Sequence, residues 1–402
     1  FYHTEFNLAV DKVYKTGDYT VVFDLKKPHS RFHGYFLDRW GACRIFPKHI
    51  WEKVEDPLSY ECYPPIGTGP YVLKDYDVGG YWFIYEKRDD WDKTATGILF
   101  GEPKPKYVQF MYYGGAEKRV MAQAQHQLDM ADLTPEAFKV LSKRNKYTRG
   151  VYEDFPWAEV LHPCVTGAQF NCAVAPYDNK EIRWALILAL DIREIAMTAY
   201  DGGCALTPAF VPATLPYYEW YYDRLQTWLE EFTLDVDDSA YKPYDSNIPA
   251  EIAELARKRG YNVPTEPEKI RELFGYGWWR YAPEVAEKLL TKNGFTRDSK
   301  GKWLLPDGKP WTIEIIANPN PAHPGFKWAF PLAEQWKKFG IDAKAVPLEQ
   351  RTAMISDGDY GVNTDWPISE PWGSDPDLHR SFRPFHSDFY TPLGERAVGH
   401  TS

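Results

Sequence analysis

The sequence predicts an α/β protein, because segments with strand periodicity alternate with segments of helical periodicity along most of its 402 residues. An early strand is predicted in YTVVFDLKKP, where Tyr19, Val21, Phe23 and Leu25 share one face and Pro28 ends the pattern. A capped amphipathic helix and a β-hairpin later in the chain indicate the same class.

The strongest helical pattern lies in APYDNKEIRWALILALDIREI, residues 175–195. Asp178 is the expected N-cap, and Glu181 completes a capping box. The apolar residues that follow recur on one helix face: Ile182, Ala185, Leu186, Ala189 and Leu190. The pattern predicts one amphipathic helix through this stretch.

The clearest hairpin lies in GKWLLPDGKPWTIEIIA, residues 301–317. Asp307-Gly308 supplies the turn, and Trp311, Ile313 and Ile315 alternate on one face of the second strand. The next helical segment, FKWAFPLAEQWKKFG, is expected to end at Gly340.

The stretch PPIGTGPYVLKDYD, residues 64–77, begins like a nucleotide-binding loop, with Gly67 and Gly69 one residue apart. Pro70 has no N–H to donate to a phosphate, and Tyr71-Val72-Leu73 predicts a strand where a phosphate loop needs the start of a helix. A tight turn that leads into a strand is therefore expected.

The length predicts two or three domains, and the composition excludes several classes of protein. The formal net charge of −10 argues against nucleic acid or an anionic membrane as the partner. No apolar run reaches the roughly 18 residues that a membrane-spanning helix needs. The aromatic content is high, with 16 Trp, 28 Tyr and 22 Phe. Many of these residues lie in polar stretches, which indicates stacking on ligands as well as core packing.

The five cysteines include no C-x-x-C pair, so neither a structural zinc site nor a thioredoxin-type motif is predicted. An oxidising compartment would allow a Cys43–Cys62 or a Cys164–Cys172 bridge, and the sequence does not assign the pairs. Metal sites and cofactors are not expected.

The chain resembles the family 5 bacterial extracellular solute-binding proteins, the substrate-binding components of ABC importers, in blocks that occur in the same order. These blocks include YTVVFDLKKP, IFPKHIWEK, PPIGTGPYVLKDY, FNCAVAPYDNKEIRWALILALDIREI, LAEQWKKFGIDAKAV and GDYGVNTDWPISEPWGSDPDLHRSF. The resemblance covers nearly all of residues 19–382.

This resemblance implies a two-lobed clamp of the periplasmic-binding-protein type (type II), with mixed sheets flanked by helices, which closes around a solute. Residues 1–158 would form part of the first lobe and residues 159–402 the second, with an insertion near 217–281. Because relatives extend further, the chain is expected to be incomplete at both ends. The implied protein is a monomer that serves a membrane ABC permease. Its implied location is the periplasm or the cell exterior, and a lipid anchor is one way to hold it at the cell surface.

The ligand class depends on TDWPISEPWGSDPD, residues 364–377. Peptide-binding relatives place an aspartate shortly before the D-P pair, where it binds the peptide α-ammonium, and this chain has Trp372 in that place. A buried ammonium without a carboxylate is costly, whereas the Trp372 ring suits the C–H face of a pyranose, and Trp366 offers a second such surface. Oligosaccharide is therefore the predicted ligand. Oligopeptide is the alternative, with Asp365 or Glu370 as the carboxylate.

Two further tryptophans are candidates for ligand contact: Trp157, near the expected crossing between the lobes, and Trp278, within the insertion. Core packing is the alternative for each of these tryptophans. A glycoside hydrolase is the competing class, because it needs two positioned acids and Asp375 and Asp377 are suggestively spaced. Acids in a D-P-D turn more often bond their own backbone, so binding without turnover is predicted and no catalytic residue is assigned.

Overall fold

The computed structural model describes residues 6–7, 9–30, 32–36, 45–57, 59–158, 165–237, 239–364, 387, 390 and 392–395. The chain divides into two compact units, residues 1–131 and 132–402. The lobe boundary expected at residue 158 remains a prediction. Within the described ranges, no helix is both long enough and apolar enough to cross a bilayer.

The described part of the first unit includes two small antiparallel sheets and several short helices. One sheet pairs β1 (Val10–Gly17) with β2 (Thr20–Leu25), and the other has the order β3 (Tyr71–Tyr76), β4 (Trp82–Lys87), β5 (Tyr107–Met111). The helices are α1 (Lys48–Trp51), α2 (Ala95–Phe100) and α3 (Ala116–Ala124).

The strand predicted after PPIGTGP is confirmed, since β3 begins directly after Pro70, and residues 68–70 form a bend that leads into it. The Pro70 carbonyl accepts a hydrogen bond from the N–H of Arg88 (3.0 Å), and the Arg88 guanidinium donates to the carbonyl of Gly67 (3.2 Å). The two glycines thus belong to a turn that is tied to the end of β4.

The second unit is built on a four-stranded sheet with the order β14–β13–β15–β6. The strands are β6 (Gln169–Phe170), β13 (Thr312–Ala317), β14 (Asp342–Pro347) and β15 (Val362–Asn363). β13 is parallel to both β14 and β15, whereas β6 is antiparallel to β15. In the described part of the unit the other strands form two-stranded pairs: β7 (Leu234–Val236) with β8 (Ser239–Tyr241), β9 (Tyr244–Asp245) with β10 (Trp278–Trp279), and β11 (Thr296–Arg297) with β12 (Trp303–Leu304).

The described helices of the unit are α4 (Pro135–Arg144), α5 (Lys180–Leu188), α6 (Ile192–Tyr200), α7 (Leu215–Tyr217), α8 (Asp223–Glu231), α9 (Ile248–Lys258), α10 (Pro267–Phe274), α11 (Pro283–Lys292), α12 (Pro324–Phe339) and α13 (Arg351–Asp357). Of these, α5, α6 and α9 to α12 bury residues in the main hydrophobic core, together with β13, β14 and β15. A π-helical turn, Tyr218–Tyr222, joins α7 to α8 and contributes to a second aromatic cluster with Tyr244, Tyr276 and Trp279.

The predicted turn at Asp307-Gly308 and the predicted end of α12 are confirmed. The predicted hairpin is correct only next to the turn, where a single bridge joins Leu304 to Pro310. Beyond that bridge it is wrong, because β12 pairs with β11 whereas β13 is parallel to β14 and β15. Gly308 has a positive φ of 82°, and the N–H of Leu305 donates to the carbonyl of Lys309 across the turn (2.8 Å). Trp311, Ile313 and Ile315 are buried, as the alternation requires. Gly340 ends α12 in the left-handed conformation, with φ at 104°.

The single helix predicted over residues 175–195 is wrong in two respects. The N-cap is Asn179, whose side chain accepts from the N–H of Glu181 (2.9 Å), one residue after the expected Asp178. Glu181 binds Lys292 (2.8 Å) on α11 instead of completing a capping box. The helix also breaks after Leu188, and Asp191 caps a new helix, α6. The predicted apolar stripe is nevertheless fully buried.

Trp328 and Trp336 on α12 offer a test of buried hydrogen bonding. The indole N–H of Trp336 donates to the carbonyl of Leu186 (3.0 Å), whereas the buried N–H of Trp328 finds no acceptor in the described part of the chain. Trp336→Phe should therefore lower the free energy of unfolding by about 1–3 kcal/mol more than Trp328→Phe, since only the first change removes a donor from a buried carbonyl. Urea unfolding of both variants measures the difference, and equal losses would contradict it.

Candidate functional site

The candidate site lies at the carboxyl edge of the sheet in the second unit. β13 ends at Ala317, β14 at Pro347 and β15 at Asn363, and these three strands are parallel. In open α/β sheets, ligands bind outside the carboxyl ends of the strands, because the loops and helix N-termini converge there. The residues that follow these strands are therefore the first to consider.

Uncharged polar side chains dominate this edge. Asn318 follows β13, Asn363 ends β15 and Thr364 comes next, and all three are buried. The Asn318 side-chain oxygen accepts from the N–H of Asn320 (3.0 Å), which shapes the loop into α12. The N–H of Thr364 donates to the carbonyl of Ile316 (2.9 Å), which continues the β13–β15 ladder. The described ends of β13 and β15 therefore carry two amides and a hydroxyl, and hydrogen bonds with the backbone hold the Asn318 amide and the Thr364 hydroxyl.

The first turn of α12 borders the same edge. The ring Nδ1 of His323 accepts from the N–H of Gly325 (3.0 Å) and caps the helix. The carbonyl of Gly325 accepts from the hydroxyl of Thr364 (2.7 Å). This contact brings the positive end of a 16-residue helix to the point where β15 ends, a position that favours acceptor groups on a ligand.

The predicted ligand residues Asp365, Trp366, Glu370 and Trp372 lie outside the described residues, as do Asp375 and Asp377. Chain connectivity alone places Asp365 directly after Thr364. The predicted segment therefore starts at the carboxyl edge of the sheet.

Trp157 is half-buried in an aromatic cluster within the second unit. Its ring lies 5.2 Å from that of Phe138, 5.4 Å from Phe155 and 5.8 Å from Tyr261. Its backbone is left-handed (φ 63°), a conformation that a bulky residue holds only when its surroundings fix it. The contacts described for the Trp157 side chain are packing contacts, and its contact with a ligand stays a prediction.

Trp278 lies on the short strand β10, where it pairs with Asp245 of β9. It is half-buried and packs against both the main core and the aromatic cluster of Tyr218, Tyr222 and Tyr276. Its neighbour Trp279 is buried and meets the ring of Trp184 edge to face at 4.9 Å. The contacts that the structure shows for these two tryptophans, like those of Trp157, are with the core.

A charge cluster around Asp201 connects α4 to the residues that follow α6 and α9 within the second unit. Its carboxylate accepts from the ammonium of Lys139 on α4, from the guanidinium of Arg259 and from the hydroxyl of Tyr261 (2.6 Å). Burial alone would raise the pKa of Asp201, but the hydrogen bonds from Lys139 and Tyr261 outweigh it and hold the pKa below its ordinary value. No sequence pattern signals this cluster, because its members come from three distant segments.

Cysteine chemistry does not contribute to the described site. Cys62, Cys172 and Cys204 are free thiols, so neither of the bridges considered from the sequence is formed. Burial raises the pKa of the Cys204 thiol to about 12 and raises that of Cys172 as well, which keeps both thiols protonated. In the described ranges, no group of three or more His, Cys, Asp or Glu side chains is arranged to hold a metal.

Comparison with known proteins assigns a family. The model of the bacterial extracellular solute-binding proteins, family 5, matches residues 2–389. The uncharacterised protein y4wM of Sinorhizobium fredii is 25% identical over 382 residues, which are 90% of this chain and 51% of that protein. The chain spans about half the length of y4wM and of the Bacillus subtilis oligopeptide-binding protein AppA.

Solved structures of the same type confirm the fold prediction of mixed sheets flanked by helices. A periplasmic oligopeptide-binding protein from Thermotoga maritima, solved with mannohexaose, matches with a TM-score of 0.66 and 20% identity over 97% of this chain and 62% of that chain. AppA from Bacillus subtilis, solved with a nonapeptide, matches with a TM-score of 0.61 and 19% identity over 99% of this chain and 64% of that chain.

Replacing Asp201 with asparagine tests the charge cluster. Asp201→Asn should lower the free energy of unfolding near neutral pH by about 1–3 kcal/mol, because two cations lose their partner. A carboxyl whose folded pKa is depressed contributes stability above its unfolded pKa of about 3.9 and loses it as the pH falls through the folded value. Urea unfolding should therefore show that the free energies of unfolding of the variant and the wild type converge as the pH is lowered.

Asp223→Asn is the matched control for that experiment. The Asp223 carboxylate also accepts from one arginine, Arg271 (3.1 Å), and one tyrosine, Tyr276 (3.0 Å). The Asp223 side chain is 43% exposed, against 16% for Asp201. Asp223→Asn should therefore lower the free energy of unfolding by less than Asp201→Asn does. A loss of stability in Asp201→Asn that does not depend on pH, or an equal loss in both variants, would contradict the stabilising role of the Asp201 cluster.

Proposed function

Because the chain belongs to the bacterial extracellular solute-binding proteins of family 5, we propose that it is the substrate-binding component of an ABC importer. It binds its solute without chemical turnover. A ligand favours the conformation that it binds more tightly, and the membrane permease then recognises that conformation. The proposed location is the periplasm or the exterior of the cell.

We further propose that the solute is an oligosaccharide. The observation that carries this step is the buried, uncharged edge formed by Asn318, Asn363 and Thr364. A charged ligand group that lost its hydration there would need an ionic partner, whereas sugar hydroxyls both donate and accept hydrogen bonds to amides. The rings of Trp366 and Trp372, in the segment that follows, would stack on the apolar faces of the sugar.

The second candidate is an oligopeptide. It is favoured by the carboxylates of Asp365 and Glu370, which lie in the same segment and would pair with a peptide ammonium. Both ligand classes occur on this fold, since the Thermotoga maritima structure holds mannohexaose and the AppA structure holds a nonapeptide. The choice between them depends on the chemistry of residues 364–377.

A thermal-shift panel on the longest natural form of the protein tests the choice. Mannohexaose at a hundredfold its Kd should stabilise the protein by about 2.7 kcal/mol, whereas a nonapeptide should leave its melting temperature unchanged. Trp372→Ala should weaken sugar binding by roughly tenfold or more, because it removes a stacking surface. Trp228→Ala, at a tryptophan that is 55% exposed on α8, is the control and should retain the shift. Stabilisation by the peptide alone would reject the sugar proposal in favour of Asp365 or Glu370.

A further inference from the structure

The short helix α2 of the first unit turns all of its large apolar side chains to solvent. Ile98, Leu99 and Phe100 are 71%, 72% and 82% exposed, whereas Gly97 is the buried residue of the helix. A helix on a protein surface normally turns its apolar side toward the core. Grouped apolar side chains that remain exposed mark a place where a protein or a membrane binds.

The base of α2 fixes which side of the helix faces the protein. A Cβ atom added to Gly97 would lie 2.1 Å from the carbonyl oxygen of Trp91, so only glycine allows this approach. The Thr94 hydroxyl donates to the same carbonyl (2.6 Å) and accepts from the N–H of Gly97 (3.0 Å). The apolar side chains therefore cannot turn inward unless the helix leaves this position.

The charges beside α2 favour an anionic partner. Lys104 and Lys106 are exposed on the segment that leaves the helix, and the carboxylate of Glu102 before them is neutralised by Lys87 (2.6 Å). The segment after α2 therefore carries an excess of positive charge next to the exposed apolar side chains.

The acidic excess of the chain does not oppose this assignment. Lys and Arg nearly balance Asp and Glu within residues 1–131, so the net charge of −10 comes almost entirely from the second unit. On the segment that enters α2, the neighbouring charges of Asp92 and Lys93 balance one another. The charge argument against an anionic membrane thus applies to the second unit and not to the surroundings of α2.

We propose that residues 98–100 dock α2 onto the surface of a bilayer that contains anionic lipids. The three apolar side chains enter the boundary between headgroups and acyl chains, and the lysines that follow keep their ammonium groups at the lipid phosphates. A bilayer needs no preformed pocket, which suits a helix that projects from the protein. The inference goes beyond the proposed function and does not depend on the identity of the solute.

Cosedimentation with lipid vesicles tests the proposal on the longest natural form of the protein, produced without lipid modification. One set of vesicles is phosphatidylcholine, and the other is an equal mixture of phosphatidylcholine and phosphatidylglycerol. The test variant combines Ile98→Ser, Leu99→Ser and Phe100→Ser. The matched control combines three substitutions at apolar residues of the same unit that are more exposed still: Tyr19→Ser, Val78→Ser and Met130→Ser.

The wild type should bind the mixed vesicles, and it should bind phosphatidylcholine alone more weakly. The test variant should bind the mixed vesicles about tenfold more weakly or worse, because burial of the apolar side chains supplies most of the binding. Its melting temperature should equal that of the wild type, since the replaced side chains face solvent. The control variant should keep wild-type affinity.

A second pair of variants tests the contribution of charge. Lys104→Gln combined with Lys106→Gln should weaken binding to the mixed vesicles by about tenfold at low salt and have little effect at high salt. Lys48→Gln combined with Lys53→Gln, on and after α1, changes the net charge equally and should bind as the wild type does. An equal loss in both pairs would overturn the role of the lysines beside α2.

Three results would overturn the docking proposal itself. The first is failure of the wild type to bind the mixed vesicles, or equal binding by the test variant. The second is a lower melting temperature in the test variant, which would mean that another part of the chain covers residues 98–100. The third is self-association of the wild type that the test variant loses in sedimentation velocity, which would identify a second copy as the occupant. Each of these measurements is made without solute, so the proposed function is tested separately.

Discussion

The side-chain amide of Asn171 holds together the sheet on which the second unit is built. It donates to the carbonyls of Gly358 and Tyr360, both at 3.0 Å, while its backbone N–H donates to Gly361 (2.9 Å). The residue is completely buried, so these carbonyls have no access to water as a substitute partner. Asn171 thus joins β6 to the turn that begins β15, across 187 residues of sequence. The position of β15, and with it the carboxyl edge, depends on this junction.

The residues that follow Asn171 also fix the start of α5. Asn179 caps α5 and donates to the side chain of Asn293 at the end of α11 (2.7 Å). Arg183 donates to the carbonyls of Tyr177 and Asp178 that precede the helix. The sequence block that resembles the family is therefore a structural block, because its polar side chains close the sheet and fix the helix start while its apolar stripe fills the core.

Sequence patterns correctly predicted the features that depend only on neighbouring residues. The Asp307-Gly308 turn, the alternation of β13 and the glycine stop of α12 each depend on residues within a few positions of one another, and the structure confirms them. The break between α5 and α6 could not be predicted in this way. The apolar stripe continues through Ala189 and Leu190, since these residues are buried in the same core after the helix has ended. Asp191 marks the break, and its backbone N–H lies 3.5 Å from the side chain of Gln335 on α12, a contact that periodicity does not encode.

The candidate site shows the same distinction between features with local causes and features with distant ones. Sequence resemblance predicted a ligand segment from Asp365 onward, whereas the edge that the structure describes is made by two stretches distant in sequence, residues 318–325 and 363–364. Gly325 in particular has an ordinary helix-start context, and only the approach of the Thr364 carbonyl shows why no side chain fits there. For Trp157, the sequence leaves two roles open. An aromatic residue in a loop is equally compatible with ligand stacking and with packing, and the rings of Phe138 and Tyr261, from distant segments, account for its contacts by packing. The chemistry of a candidate ligand segment can thus be predicted from local sequence, whereas the shape of the described edge depends on contacts between residues that are distant in sequence.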